Sequence, residues 1–106
     1  IWSSFIADYI LHSDRLMLLC LLIDGRHPEL PIDQEAFKWL MESGVPLQIV
    51  VTKVDKLKSS ERQRNMRRIK ELFPTKTAPI AYSSLNHTGR ELLLQRINTV
   101  IVGEEE

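Results

Sequence analysis

Three short apolar runs, at residues 16–23, 47–51 and 79–82, alternate with segments whose apolar residues recur at helical spacing. That alternation constrains the fold more than any other feature. Strands that follow one another through helices lie parallel in one sheet, joined by right-handed crossovers. A length of 106 residues suits one such domain and makes no room for two. The run at 16–23 closes on Asp24-Gly25 and reads as a strand buried on both faces. The run at 47–51 is entered through Pro46 and left through Thr52-Lys53, and 79–82 makes a short third strand.

The helices follow from periodicity and capping signals. Trp2, Phe5, Ile6, Tyr9 and Ile10 form one apolar stripe. Asp33 is placed to cap a helix whose inner face is Ala36, Phe37, Leu40 and Met41, with Gly44 at its C-terminal cap. Ser60 with Gln63 has capping-box spacing, and Met66, Ile69 and Phe73 then share a face until Pro74. Thr88 with Glu91 repeats that spacing ahead of Leu92, Leu93, Ile97, Val100 and Ile101. Residues 104–106 read as a frayed tail.

If the strands lie in chain order, residues 16–23 form a sheet edge. Edges are normally short, charged or interrupted, because unpaired backbone groups recruit other chains. This edge is the longest and most apolar strand of the three. It reads as a central strand with a neighbour still to come. The chain also opens at Ile1, inside a helix pattern and without a methionine, so the expectation is a piece of a longer protein.

Charge excludes some classes and admits others. The formal net charge is zero, yet residues 1–52 carry −4, residues 53–76 carry +6 and residues 77–106 carry −2. The whole is no polyanion binder, but its middle third has the charge to touch one. The one cysteine, Cys20, cannot form an internal disulfide and reads as a buried thiol in a reducing cytoplasm. The longest apolar run is 8 residues, far below the ~20 that span a bilayer. No signal-peptide pattern opens the chain. His12, His27 and His87 have no metal-ligand spacing with one another or with Cys20, and no nucleophile–base pairing is legible. Trp2 and Trp39 read as packing residues.

Two strand ends carry chemistry. Thr52-Lys53-Val54-Asp55 follows directly on the second apolar run, and in open α/β sheets ligands sit outside the carboxyl ends of strands. An aspartate there can accept hydrogen bonds from N1–H and the exocyclic amine of guanine; adenine offers no such pair of donors. Each such charged bond contributes about 1.5–3 kcal/mol, and a site built for a donor rejects an analogue lacking it by about 10⁴-fold. The Lys53 stem can lie along the base, and Thr52 can tie the loop to neighbouring backbone. The third strand ends in Tyr82-Ser83-Ser84-Leu85, whose small residues let a backbone N–H, that of Ser84, approach the guanine O6. Either loop alone is also what an ordinary polar turn looks like. Together they are harder to dismiss.

Thr52-Lys53-Val54-Asp55-Lys56 resembles the fourth guanine-nucleotide motif of small GTPases, and Tyr82-Ser83-Ser84-Leu85 resembles the fifth. Asp24-Gly25-Arg26-His27-Pro28, with the helix before it and Asp55-Lys56-Leu57 after it, is similar to the EngB (YihA/YsxC) family of bacterial ribosome-biogenesis GTP-binding proteins. The resemblance runs over nearly all the chain and implies part of a P-loop GTPase fold, a parallel sheet flanked by helices. Residues 1–106 would be the C-terminal portion of a single GTPase domain. It implies GTP or GDP as ligand, with Asp55 selecting guanine, Lys53 covering the base, Thr52 bracing the loop and Val54 within it. Tyr82, Ser83 and Ser84 would supply the fifth-motif backbone. It further implies a role in large-ribosomal-subunit assembly, a link to cell division and septation, and ribosomal RNA or the large subunit as partner.

The phosphate loop G-x-x-x-x-G-K-[ST], the switch threonine and the Asp-x-x-Gly loop do not occur among these residues. They and the Mg²⁺ ligands are expected before Ile1, so this stretch holds the base side of a nucleotide and supplies no catalytic residue. Asp24, Arg26 and His27 read as a turn held by side-chain-to-backbone bonds. Two rival readings remain open. One is a non-enzymatic RNA- or protein-binding module using the basic helix at 60–73, with Arg62, Arg64, Arg67, Arg68 and Lys70 around its apolar stripe. The other is a receiver-type phosphoacceptor using Asp24 and Lys53, which lacks the acidic pair such domains need for Mg²⁺.

Overall fold

The computed structural model describes residues 4–102. Trp2 and the tail at 104–106 lie outside the described residues. The elements run α1 (Ser4–His12), β1 (Leu19–Asp24), α2 (Pro31–Ser43), β2 (Leu47–Thr52), α3 (Ser59–Leu72), β3 (Ile80–Ala81) and α4 (Arg90–Val102), with a single 3₁₀ turn at Val54–Lys56. The three strands form one parallel sheet in the order β1-β2-β3. Fold class and strand order are those the apolar runs predict.

Register sets the ends level. Leu19 pairs with Leu47, and Asp24 with Thr52, so β1 and β2 finish together; Val51 pairs with Ala81. The odd-numbered strand residues Ile23, Leu47, Ile49 and Val51 meet Leu40 of α2, Ile69 of α3 and Phe73 in one core cluster. Phe37 and Phe73 join the two helices edge to face, centroids 5.3 Å apart at 89°. α2 starts two residues before the expected cap. Leu30 is its N-cap and Pro31 its first residue, because a proline there has its φ already set and loses no helical bond. Asp33 therefore sits in the first turn, and Met41 faces solvent rather than the core. Gly44 ends α2 at φ 77°, as its position predicts. α3 starts at Ser59, and it is Glu61 that reaches back to accept from the Lys58 backbone N–H.

Burial differs from expectation on two elements. The strand expected at 16–23 begins at Leu19, and only its odd face is covered: Leu22 is 59% exposed and Cys20 is exposed. Among the described residues β1 has a neighbour on one side only, and Arg96 ties α4 to β2 through Nε, which donates to the Gln48 side chain at 3.0 Å. On the even face of β1, Cys20 and Leu22 stay exposed, and Ile97, Val100 and Ile101 of α4 line only an open cleft beside Cys20. The α1 helix forms, but among the described residues of its stripe only Ile10 reaches the core, while Phe5 is 80% exposed. α4 begins at Arg90 and has no fully buried residue; Leu92 and Ile101 are exposed. Among the described residues no helix is long and apolar enough to cross a membrane.

Candidate functional site

β2 runs out at Thr52, and the chain turns there through Lys53, whose φ of 59° and ψ of 31° are left-handed. Non-glycine residues rarely hold that conformation without a surrounding reason, and an unbranched lysine bears it better than a β-branched neighbour would. The reason is the 3₁₀ turn that follows. Lys56 N donates to Lys53 O at 3.0 Å and Leu57 N to Val54 O at 3.2 Å. Val54 drops into the core and anchors the turn, so Lys53 is presented to solvent and Asp55 is half-buried. Thr52 Oγ1 donates to Ile23 O at 3.4 Å, and Gly25 N donates to Thr52 O at 2.9 Å. The two strand ends close on each other so tightly that a Cβ on Gly25 would stand 2.9 Å from Thr52 O.

The loop after β3 comes to the same place. Tyr82 N donates to Val51 O at 2.8 Å, which prolongs the β2–β3 pairing past β3 itself. Ser83 is buried, and its hydroxyl donates to Asp55 Oδ1 at 2.6 Å. That hydroxyl oxygen also accepts from Leu85 N at 3.2 Å and Asn86 N at 3.4 Å. The Ser83 hydrogen bond, foremost among several contributions, holds the Asp55 carboxyl below the usual carboxylate range. Ser84 lies exposed at the tip, and among the described residues its backbone N–H makes no hydrogen bond. Thr52, Lys53, Val54, Asp55, Tyr82, Ser83 and Ser84 thus gather at one corner of the sheet's carboxyl edge.

A third group flanks them. Asp24 accepts from Arg26 three times: from its backbone N at 2.9 Å, Nε at 3.1 Å and Nη2 at 2.8 Å. This bidentate fork, chiefly, pulls the Asp24 carboxyl down to about 2. The turn is of the kind the sequence predicts, with the side-chain fork added. Arg26 also acts electrostatically on Asp55, and Lys53 on Asp24, so the loops after β1 and β2 share one field. Asn65 of α3 fastens the turn through Nδ2 to Gly25 O at 2.8 Å.

Sequence reasoning missed three of these contacts. Ser83 was expected to act through its backbone, and its side-chain bond to Asp55 has no signature in spacing. Asn65 sits mid-helix without a local role, and that misfit was the available signal. The expected Thr88 cap is instead part of a loop. Thr88 N and Oγ1 both donate to Asn86 Oδ1, and Gly89 turns the chain at φ 80°. A Cβ on Gly89 would fall 1.9 Å from Ala81 O, so the backbone approach itself dictates glycine. Among the described residues no group of three or more His, Cys, Asp or Glu side chains could hold a metal ion.

No family profile matches the chain. Proteins described as probable GTP-binding protein EngB do. That of Chlorobaculum parvum is 37% identical over 97 residues, covering 92% of this chain and 50% of the relative. That of Chlorobaculum tepidum is 38% identical over 98 residues, covering 92% and 51%. A crystal structure described as a probable GTP-binding protein engB superimposes with a TM-score of 0.74 at 27% identity, covering 93% of this chain and 66% of the other. The chain is thus similar to EngB proteins along nearly all of its own length. It spans about half the length of the curated EngB relatives it matches, and corresponds to their C-terminal part. Its parallel three-stranded sheet with flanking helices is the matching part of the EngB fold.

Proposed function

We propose that this chain is the base-recognising part of a single GTPase domain and binds the guanine end of GTP or GDP. The observation that carries this reading is the bond between Ser83 and Asp55. It joins the two loops that guanine recognition needs and fixes a carboxylate in its ionised form. Asp55 accepts from guanine N1–H and the exocyclic amine. Lys53, held outward by its left-handed backbone, lays its methylene stem on the base plane. The Ser84 N–H is the donor for O6, and Thr52 and Tyr82 brace the two loops through backbone bonds. The relatives' description as GTP-binding proteins agrees with this chemistry.

The nucleotide's phosphates and a Mg²⁺ ion bound to them fall to residues outside this stretch, because the 106 residues contain no phosphate-loop sequence. GTP hydrolysis therefore belongs to the whole protein. The larger role implied by the family resemblance, in the cytoplasm, is assembly of the large ribosomal subunit, coupled to cell division. The test is competition at equilibrium in the complete protein between GDP and ADP for a fluorescent guanine nucleotide. Displacement by GDP at least about 10⁴-fold more effective than by ADP is expected. Equal displacement would overturn the reading.

A further inference from the structure

The positive charge of residues 53–76 is arranged on α3 in a way that nucleotide binding does not use. Three of its five basic residues, Arg64, Arg67 and Lys70, follow one another at three-residue intervals and are exposed. They span about 9 Å along the helix at 1.5 Å per residue. Among the described residues none of their side chains makes an ion pair or hydrogen bond. Arg68 differs. It lies one turn from Arg64, at the margin of the row toward the β1–α2 turn, and is neutralised by Glu29 and Glu71. Asn65 is likewise turned inward, to Gly25. The three cations without an ion pair thus form a row that starts beside Arg68 at Arg64 and turns away from the β1–α2 turn through Arg67 to Lys70. At the end of that row Lys70 opens onto a shallow cleft of about 240 Å³, where Thr75, Lys76 and Thr77 continue the surface.

We propose that this face of α3, with Lys76 beyond it, docks on the phosphodiester backbone of double-helical RNA. A repeating polyanion matches a row of cations at regular spacing, and each neutralised phosphate releases counterions. An acidic protein is disfavoured because protein interfaces centre on buried apolar or aromatic anchors, and no large hydrophobic side chain is exposed anywhere in residues 53–76. The same absence of exposed aromatic residues disfavours single strands, which are held by base stacking. RNA rather than DNA rests on the ribosomal reading above; the surface itself does not.

The test is binding of the complete protein to a mixed-sequence RNA duplex of about twenty base pairs, titrated from about 50 to 200 mM salt. The triple variant Arg64→Ala, Arg67→Ala, Lys70→Ala is expected to bind at least about tenfold more weakly, with a log–log salt slope shallower by about two to three. Arg68→Ala, whose partner charges are internal, is expected to stay within about twofold of the unsubstituted protein. Unchanged affinity and slope in the triple variant would overturn the proposal, as would displacement of the duplex by polyglutamate at equal charge. Equal affinity for a DNA duplex would overturn the assignment to RNA. GDP affinity, read on the same samples, is expected to be unaffected by the triple substitution. Absence of GDP binding in the unsubstituted protein would overturn the nucleotide reading alone.

Discussion

Ser83 and Asp55 stand 28 residues apart in the chain and meet through one hydrogen bond of 2.6 Å, hydroxyl to carboxylate. The same serine oxygen gathers Leu85 N and Asn86 N, so one buried side chain shapes its own loop and orients the acid of the other. Ser83→Ala removes a charge-assisted bond of about 1.5–3 kcal/mol. GDP affinity of the complete protein is expected to fall by about ten- to a hundredfold at that cost, measured by calorimetry. An unchanged dissociation constant would show that the bond does not position Asp55.

Asp55→Asn changes the pattern rather than the shape. A carboxylate accepts twice, whereas an amide accepts once and donates once. Guanine presents two donors to this position; xanthine presents one donor and one carbonyl. The variant is therefore expected to lose at least about a hundredfold in GDP affinity and to bind xanthosine diphosphate better than GDP. Competition between the two diphosphates measures this, and an unaltered order of preference would sink the role given to Asp55.

How much of this was legible beforehand follows from the range of each interaction. Strand order and parallel direction come from apolar runs and intervening helices, and β2 is as buried as its run predicts. The two site loops were legible because strand ends fix where they lie. Ser83's side chain was not, since its partner is set by the β2–β3 pairing and not by local sequence. Thr88 misled because capping-box spacing says nothing of Asn86, which takes its N–H and hydroxyl first. β1 misled because an apolar run reports what a strand can bury, not what lies against it; Leu22 is exposed while Ile23 is fully buried.

The Asp24–Arg26 fork gives a pH signature. Asp24 is lowered to about 2 in the folded chain, against about 3.9 in unfolded chains. A depressed carboxyl adds stability that is full above the unfolded value and is lost as pH falls from there through the folded one. Unfolding midpoints of the protein are therefore expected to drop between pH 4 and about 2, and Arg26→Ala to flatten that part of the profile. Denaturant titrations at several pH values measure it. Parallel profiles for both proteins would mean that the fork contributes nothing to stability in acid.

Gly44 and Gly89 share a left-handed backbone, at φ 77° and 80°, but not surroundings. A Cβ on Gly44 meets nothing within 4 Å, so Gly44→Ala carries only the backbone cost of about 1–2 kcal/mol. A Cβ on Gly89 would lie 1.9 Å from the Ala81 carbonyl oxygen and 3.3 Å from Tyr82 Cα. Gly89→Ala must therefore push the loop off β3. It shifts Ser83, whose N–H donates to Thr88 O at 3.0 Å one residue before the glycine. Gly89→Ala is expected to destabilise by at least about 1 kcal/mol more than Gly44→Ala. It is also expected to weaken GDP binding, which Gly44→Ala leaves unchanged. Chemical denaturation and nucleotide titration of the two variants side by side measure both effects. Equal loss of stability with GDP affinity intact in both would show that the close approach of Gly89 to β3 does not hold the Ser83 loop in place.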